Sequence, residues 1–326
     1  MIRGDEIVER LVLGIINRIV YKGKPVPKRL SLISGEELNE KVYHGLIGDK
    51  PFMVARYGSF ELEVALYPYI CSLPLWKRYY LFAQKKIRFL RFSESFAQEL
   101  MNPFCNNAGF FPNEVSLMRK YHSRLLEEDS KYCDYLCCSD WIREDLAQPF
   151  LSPHVRYAAL DQLEPYDYLH PWSRALEKKK VLVVHPCADT IKQQYKRRKQ
   201  LWENTEVLPD FELMTIKAVQ SLAGESVPYK DWFDALHHME SQMDSVDYDV
   251  VIVGCGAYGF SLAAHAKRMG KKAIHLGGAT QILFGIKGKR WDELPAVNRF
   301  YNDSWVYPSI EETPKHKDKV ENGCYW

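Results

Sequence analysis

The sequence has almost no net charge and no hydrophobic run long enough to cross a membrane. Its 44 basic residues are balanced by 42 acidic ones over 326 positions, so the composition gives no support to a nucleic-acid partner. Residues 5–20 are apolar on much of a predicted helix, but Glu9, Arg10 and Arg18 interrupt them, and they lack a signal-peptide cleavage site. We expect a cytoplasmic protein without a transmembrane segment. The N-terminal helix is predicted to dock on the domain or on a second subunit of a homo-oligomer; peripheral attachment at the inner face of the membrane is the alternative.

The eight cysteines form neither a metal-binding pattern nor a disulfide framework. Cys133, Cys137 and Cys138 are close in sequence, but no second pair of Cys or His residues follows at zinc-finger spacing. The others are scattered through apolar segments, as expected for reduced, buried thiols. We therefore do not expect zinc.

The clearest structural unit covers residues 247–278. The β-branched run at 250–253 predicts a buried parallel strand, and GCGAYG follows it at 254–259. Apolar residues then recur at helical spacing over 260–269, and residues 273–276 form a second short strand. This order of strand, glycine turn, helix and strand predicts a βαβ crossover.

The glycine turn matches the G-x-G-x-x-G pattern, in which backbone N–H groups approach a phosphate. A dinucleotide site would also need an acidic residue at the end of the next strand to bind the ribose. That strand ends His275-Leu-Gly277-Gly278 and carries no acid. We therefore expect neither NAD nor flavin, and a phosphate or diphosphate site or a plain tight turn remain the alternatives.

Two other segments place polar residues directly after a predicted strand. Arg56 follows a strand at residues 52–55 and offers a fork for phosphate or carboxylate. Glu61, at the start of the next helix, is suited to a sugar hydroxyl or a divalent ion. His185 follows a strand at 181–184, and Asp189 begins the next helix. Either residue is a candidate general base, although a packed, hydrogen-bonded histidine is the alternative for His185.

Predicted strands near residues 52, 135, 181, 212, 250 and 273 alternate with helices. This pattern predicts an α/β fold with a Rossmann-like, mostly parallel sheet and helices on both faces. We expect a single α/β domain over residues 1–326, divisible into halves at 1–172 and 173–326. Because sites in such sheets lie at the carboxyl ends of strands, the segments above share a cleft if their strands are neighbours.

The motif RYGSFELE at residues 56–63 resembles the Arg-Phe-Gly-Asp-Gly-Glu signature of the GT-D-fold glycosyltransferases. Arg56, Tyr57, Gly58 and Glu61 match it, whereas Ser59 stands in place of the family's Asp. In the family, Asp-x-Glu engages the metal and the nucleotide sugar. The resemblance therefore implies Mn²⁺ or Mg²⁺ at Glu61, in a site where a neutral hydroxyl replaces one carboxylate. The C-terminal βαβ unit is similar to the later half of the same family.

The resemblance implies a hexosyltransferase-like enzyme that transfers a sugar from a nucleotide-diphosphate sugar to a glycan or lipid-linked acceptor, in cell-surface or capsular polysaccharide synthesis. Glu61 would hold the donor sugar or metal, and His185 or Asp189 would be the base. The residues expected to bind the nucleotide sugar are Arg56, Tyr57, Gly58, Ser59, Gly254, Gly256, Tyr258, Gly259, His275, Gly277, Gly278, Thr280 and Lys287. An NAD(P)-dependent oxidoreductase and a non-catalytic nucleotide- or glycan-binding module are the alternatives.

Overall fold

The structure is a computed structural model that describes Leu11, Gly14, Ile15 and residues 30–326 apart from Arg88, Asp140, Trp141 and Asn322. Most of the predicted N-terminal helix at residues 5–20 therefore lies outside the described residues. None of the helices in the described part of the chain combines the length and apolar character that a bilayer-spanning segment needs.

The described residues form one sheet of seven parallel strands, which confirms the predicted α/β fold. The sheet order is β3-β2-β1-β7-β6-β4-β5. The strands are β1 (Phe52–Arg56), β2 (Tyr135–Cys138), β3 (Arg156–Ala159), β4 (Lys180–His185), β5 (Glu212–Lys217), β6 (Val250–Val253) and β7 (Lys272–His275). The sequence pattern did not predict β3. It is a partly exposed edge strand of sequence RYAA and has no apolar run to mark it.

The helices pack on both faces of this sheet, as predicted. They are α1 (Gly35–Ile47), α2 (Ser59–Ser72), α3 (Leu75–Ala83), α4 (Glu94–Ala108), α5 (Met118–His122), α6 (Ile142–Ala147), α7 (Ala188–Lys196), α8 (Trp232–Asp244), α9 (Gly259–Arg268), α10 (Ala279–Leu283), α11 (Lys289–Asp292) and α12 (Pro295–Asn298). Alternate strand residues point to opposite faces. Met53 and Val251 pack with α2, α4, α8 and α9 on one face, and Val54 and Ile252 pack with α1, α7 and α10 on the other.

Local sequence signals set several helix ends. The Ser34 side chain accepts a hydrogen bond from the Glu37 N–H at 3.2 Å, so Ser34 is the N-cap of α1. The unit β6–α9–β7 is the predicted crossover, and its two strands pair in parallel. Gly270, with φ of 80°, takes the left-handed conformation that follows the end of α9.

The strand order brings the predicted site segments to one edge of the sheet. The chain passes outward from β1 through β2 to β3 and then crosses to β4 on the other side of β1. Consequently β1, β7, β6 and β4 are consecutive neighbours. Their carboxyl ends carry Arg56, His275, Gly254 and His185, which satisfies the condition for a shared cleft.

Candidate functional site

A cavity of about 270 Å³ lies at the carboxyl ends of these four strands. Four chain segments that the sequence marked separately all contribute to its lining. The predicted site residues that line it are Arg56, Gly58, Ser59, Glu61, His185, Gly254, Gly256, Tyr258, His275, Gly277 and Gly278. Residues 107–109 and 219–222 line it as well.

Arg56 brings a positive charge to the cavity from the end of β1. Its side chain lies against Gly277, where an added Cβ would be 3.3 Å from Cδ and 3.4 Å from Nη1 of Arg56. Gly277 also has a φ of 64°, a conformation that favours glycine. The loop after β7 is thus shaped to pass close to the guanidinium.

Glu61 lies in the first turn of α2 and faces the same cavity. The N-cap of α2 is Gly58, which offers no side-chain cap, and a Cβ at Gly58 would overlap the Glu61 carboxylate. The carboxylate therefore folds back over the glycine. Burial raises the pKa of Glu61 and the Glu321 carboxylate raises it further, while a hydrogen bond to its own backbone and the charge of Arg56 act in the opposite direction. Glu61 is a carboxylate that accepts a proton more readily than an exposed one.

Two buried histidines line the cavity, and both are neutral at physiological pH. Burial lowers the pKa of His185 to about 3. Burial also lowers the pKa of His275 to about 3, and the charge of Arg56 contributes to this despite a backbone hydrogen bond to Arg56. The Cys187 N–H donates to Nδ1 of His185 at 2.9 Å. In neutral His185 the proton is therefore on Nε2, which makes this nitrogen a hydrogen-bond donor.

The glycines of the turn at residues 254–259 are required by close contacts within the protein. Gly256 has a φ of 56°, and a Cβ there would be 2.7 Å from the carbonyl oxygen of Ala108. A Cβ at Gly254 would be 2.5 Å from the Gly277 carbonyl oxygen, and one at Gly259 would overlap the His275 ring. These contacts account for the spacing of the three glycines without a bound phosphate. A substitution at Gly256 is therefore expected to disturb packing whether or not the turn binds a ligand.

Several predicted site residues do not line the cavity. Tyr57 is buried beneath it, where its hydroxyl lies 2.6 Å from Ser130 Oγ and its ring stacks on Phe260. Thr280 is fully buried in α10. Lys287 places its ammonium group 5.2 Å from the centre of the Tyr301 ring. Gly259 begins α9 behind the lining residues.

Asp189 points away from the cavity at the start of α7. Its side chain is exposed and accepts a hydrogen bond from Lys192 at 3.3 Å. Its backbone N–H donates to Glu312 Oε1 at 2.7 Å, and the Thr190 N–H donates to Glu312 Oε2 at 3.1 Å. The Glu312 carboxylate therefore fills the N-terminus of α7, a position that would otherwise suit an anionic ligand.

The C-terminal segment supplies three cavity residues that the sequence analysis missed, Glu321, Tyr325 and Trp326. They line the cavity together with Arg290, whose place in a glycine-spaced basic segment after an apolar helix makes it a candidate for binding a diphosphate. Arg290 forms an ion pair with Glu321, and its Nη1 donates to the Tyr325 hydroxyl at 3.1 Å. The Arg290 N–H donates to the Cys324 carbonyl at 2.8 Å. Arg290, Glu321, Tyr325 and Trp326 all line the cavity. The aromatic content of this segment was a signal that it packs on the domain, but nothing in it indicated which surface it covers.

The acidic groups of the cavity are a poor set of ligands for a metal ion. Among the described residues, Glu61 and Glu321 are the acids that line it, and Glu321 is paired with Arg290. The remaining motif residue, Ser59, offers a neutral hydroxyl. In the described parts of the chain, no group of three or more His, Cys, Asp or Glu residues is arranged to hold a metal ion.

Comparisons with known proteins give a distant match to solved structures. No protein-family model matches the chain, and no curated protein matches it. Two solved structures do: "Selenomethionine substituted structure of domain of unknown function 1792 (DUF1792)" and "The highly conserved domain of unknown function 1792 has a distinct glycosyltransferase fold". Each has a TM-score of 0.47 and 12% sequence identity, over 94% of this chain and 97% of the other. Values this low assign no function, which has to be argued from the cavity.

Proposed function

We propose that the protein is a glycosyltransferase that binds the diphosphate and sugar of a nucleotide-diphosphate sugar in the 270 Å³ cavity. The observation that carries the proposal is the meeting of Arg56, Glu61, His185 and His275 at one sheet edge. Arg56, His275 and His185 are the last residues of β1, β7 and β4, which are neighbours or next-neighbours in the sheet. Glu61 lies in the first turn of the helix that follows β1. This combination supplies cationic and neutral donors for phosphate oxygens and a carboxylate for a hydroxyl.

The leaving diphosphate gains negative charge as the bond to the sugar breaks. The fork of Arg56 is suited to bind two phosphate oxygens, and Nε2–H of His185 donates to a third. Arg290 lines the same cavity, and its ion pair with Glu321 keeps the guanidinium there. Fixed positive and dipolar groups of this kind stabilise charge that develops during transfer.

Glu61 is the proton acceptor in this proposal. Asp189 is directed to solvent and Nε2 of His185 already carries a proton, so neither has the geometry of a base. The acceptor oxygen bonds to the anomeric carbon, and the bond from that carbon to the diphosphate oxygen breaks with its electron pair. The hydroxyl proton passes to Glu61, whose raised pKa favours this role.

The residues of the cavity do not fit a resident Mn²⁺ or Mg²⁺. A divalent ion of this kind needs hard oxygen ligands, usually including one or two free carboxylates. Here Ser59 replaces an acid, the Glu61 carboxylate folds over Gly58, and Glu321 is neutralised by Arg290. We therefore involve no metal ion in the transfer and propose that Arg56 balances charge on the diphosphate, with Arg290 as a further hydrogen-bond donor.

A second, open groove provides a path for the acceptor. Its volume is about 1230 Å³, and it shares Gln220 and Trp326 with the cavity. Tyr307, Lys315 and His316 line it, and such a mixture of rings and polar groups is suited to a glycan. A role in polysaccharide synthesis rests on the family resemblance alone, and a cytoplasmic location, with attachment to the inner face of the membrane as the alternative, rests on the sequence alone.

Calorimetry with UDP-, GDP-, CMP- and dTDP-sugars and with NAD(P), each with manganese or a chelator, tests the proposal. We expect one nucleotide sugar to bind equally well under both conditions. Arg56→Ala should weaken that binding about 10- to 100-fold, since it removes charged hydrogen bonds. Arg156→Ala, which removes an exposed arginine paired with Glu37 at 3.2 Å, is the matched control and should bind as the wild type does.

Turnover then separates the alternatives. Release of nucleoside diphosphate that depends on an acceptor and is lost in Glu61→Ala would support a transferase. Donor binding without turnover on any acceptor would indicate the binding module, which the replacement of Asp by Ser59 keeps open. Binding of NAD(P) alone would contradict the proposal and favour the oxidoreductase.

A further inference from the structure

Residues 74–92 are unusual in a chain of balanced charge. The segment PLWKRYYLFAQKKIRFLRF contains six Lys or Arg residues, six aromatic residues and no Asp or Glu. It comprises α3 and the loop that leads to α4. Positive charge and aromatic rings are therefore concentrated in one short stretch of the molecule.

Part of this segment packs inward and part of it faces outward. Leu81, Ile87, Phe89 and Leu90 are buried. The outward side chains are 45–70% exposed and form what we call the aromatic patch: Leu75, Trp76, Tyr80 and Phe92. Large apolar side chains exposed together in this way mark interaction surfaces, whereas single ones do not.

The members of the aromatic patch are held together by the fold. Trp76 and Tyr80 are four residues apart in α3 and so lie on the same helix face. Arg78 Nη1 donates to the Leu90 carbonyl at 2.6 Å, which fixes the loop containing Phe92 beside α3. Two members of the patch thus share one face of α3, and a third lies in a loop that is bound to this helix.

Some cations of the segment reach the surface, while Lys86 is used internally. Lys86 is buried and forms an ion pair with Asp145. Lys77 is partly exposed, and Lys85 and Arg91 are exposed. The surface of the segment therefore carries both large apolar side chains and positive charges.

We propose that the aromatic patch docks on the surface of an anionic lipid bilayer. Aromatic rings of Trp and Tyr favour the headgroup region of a membrane, and each Lys near an anionic surface adds about 1 kcal/mol. The convex face of a helix with outward rings suits the plane of an interface. Single-stranded nucleic acid instead binds in a positively charged groove along which bases stack, whereas Trp76 and Tyr80 project from one face of a single helix.

The patch lies well away from the cavity. Helix α2 begins at the cavity with Ser59 and ends at Ser72, just before α3, 14 residues or about 20 Å further on. Helix α4 begins at Glu94, beside Phe92, and its last residue, Ala108, lines the cavity. Membrane contact through the patch therefore leaves the cavity accessible, and the proposal does not depend on the function assigned to it.

Co-sedimentation of the full chain with vesicles tests the proposal. We expect binding to vesicles that contain phosphatidylglycerol, little binding to pure phosphatidylcholine, and release at high salt. The double substitution Lys77→Glu with Lys85→Glu should lower the partition coefficient about 30-fold or more, from about 1 kcal/mol per lysine. Trp76→Ala with Tyr80→Ala should lower it about tenfold or more through lost apolar contact.

Two matched controls use exposed residues outside the patch. Leu169→Ala removes a side chain that is 79% exposed, and Lys199→Glu reverses an exposed charge; both should bind vesicles as the wild type does. Because every substituted side chain is at least partly exposed, melting temperatures should stay unchanged. Equal vesicle binding by the wild type and the patch variants would overturn the proposal, and so would equal binding to both lipid mixtures. Binding of oligonucleotides without binding of vesicles, or a dimer that Trp76→Ala abolishes, would overturn it as well.

Discussion

The starts of α2 and α7 follow strands at the same edge of the sheet, yet they meet different surroundings. Helix α2, after β1, begins at Gly58 without a side-chain cap, and its first turn lines the cavity. Helix α7, after β4, has its first N–H groups bound by the Glu312 carboxylate. Both helices carry an acid in the first turn, Glu61 and Asp189. The same local pattern thus gives one helix start whose own acid, Glu61, lines the cavity, and one whose acid, Asp189, is exposed while a distant carboxylate binds the N–H groups.

Removal of Glu312 should have the largest effect on stability. In Glu312→Ala the N–H groups of Asp189 and Thr190 lose a buried, charged acceptor, so we expect the free energy of unfolding to fall by about 3 kcal/mol. Denaturant unfolding measures this loss. Glu311→Ala, an exposed neighbour, should change it by less than about 0.5 kcal/mol. Donor affinity should be unchanged in both, and a large loss of affinity in Glu312→Ala would mean that α7 takes part in the site.

The glycine turn before α9 is a third helix start, and a substitution at Gly256 tests how tightly it packs. A side chain at φ of 56° and 2.7 Å from the Ala108 carbonyl combines backbone strain with a collision, so Gly256→Ala should cost about 2 kcal/mol in unfolding free energy. Gly224 is the control because it also has positive φ, 75°, but no atom within 4 Å of an added Cβ. Gly224→Ala should therefore cost about 1 kcal/mol. Equal losses in the two variants would show that the contact with Ala108 is unimportant.

The sequence allowed the elements to be predicted better than their contacts. The apolar run at residues 250–253, the glycine turn and Gly270 are local signals, and the structure confirms the strand, turn and helix that they indicate. The sequence did not predict that β1, β7, β6 and β4 are neighbours in the sheet, because strand order depends on pairings between distant segments. The roles assigned to individual site residues stay predictions.

Hydrogen-bond and ion-pair partners that are distant in the chain could not be predicted from the sequence. Glu312 reaches α7 across 122 residues, counted from Thr190, and Glu321 reaches Arg290 from the C-terminal segment. Neither acid stands in a recognisable motif. Asp189 shows the converse limit: its place at a helix start could be predicted, but the direction of its side chain is set by packing around α7.

Glu61→Gln should change how the stability of the protein depends on pH, which distinguishes the buried acid of α2 from the exposed acid of α7. Burial raises the pKa of Glu61 in the folded protein, so the folded state holds this proton more firmly than the unfolded state does. Stability from this group is fully present below the unfolded pKa and is lost as the pH rises through the folded one. The neutral glutamine avoids that loss, and we expect Glu61→Gln to be more stable at neutral pH, by on the order of 1 kcal/mol, and equal to the wild type in acid.

Thermal unfolding at a series of pH values measures this difference. Glu63→Gln is the control, since Glu63 forms an ion pair with Arg143 at 3.1 Å and should gain nothing from neutralisation. A destabilised Glu61→Gln at neutral pH would mean that the ionised carboxylate stabilises the fold.

The smallest effect is expected for His185→Gln, which tests whether His185, at the end of the strand before α7, donates a hydrogen bond or accepts a proton. A glutamine amide replaces Nε2–H as a donor, so donor affinity and turnover should remain within about threefold of the wild type, whereas His185→Ala should lose about tenfold. If His185 were the base, both variants would lose about 10²- to 10⁴-fold in kcat. Since burial lowers the pKa of His185 to about 3, any change of donor affinity between pH 5 and pH 8 should be the same in the wild type and in His185→Gln. A change in donor affinity centred near pH 6.5 that His185→Gln abolishes would contradict this. It would show that the imidazole of His185 takes up a proton and is less buried than the structure indicates.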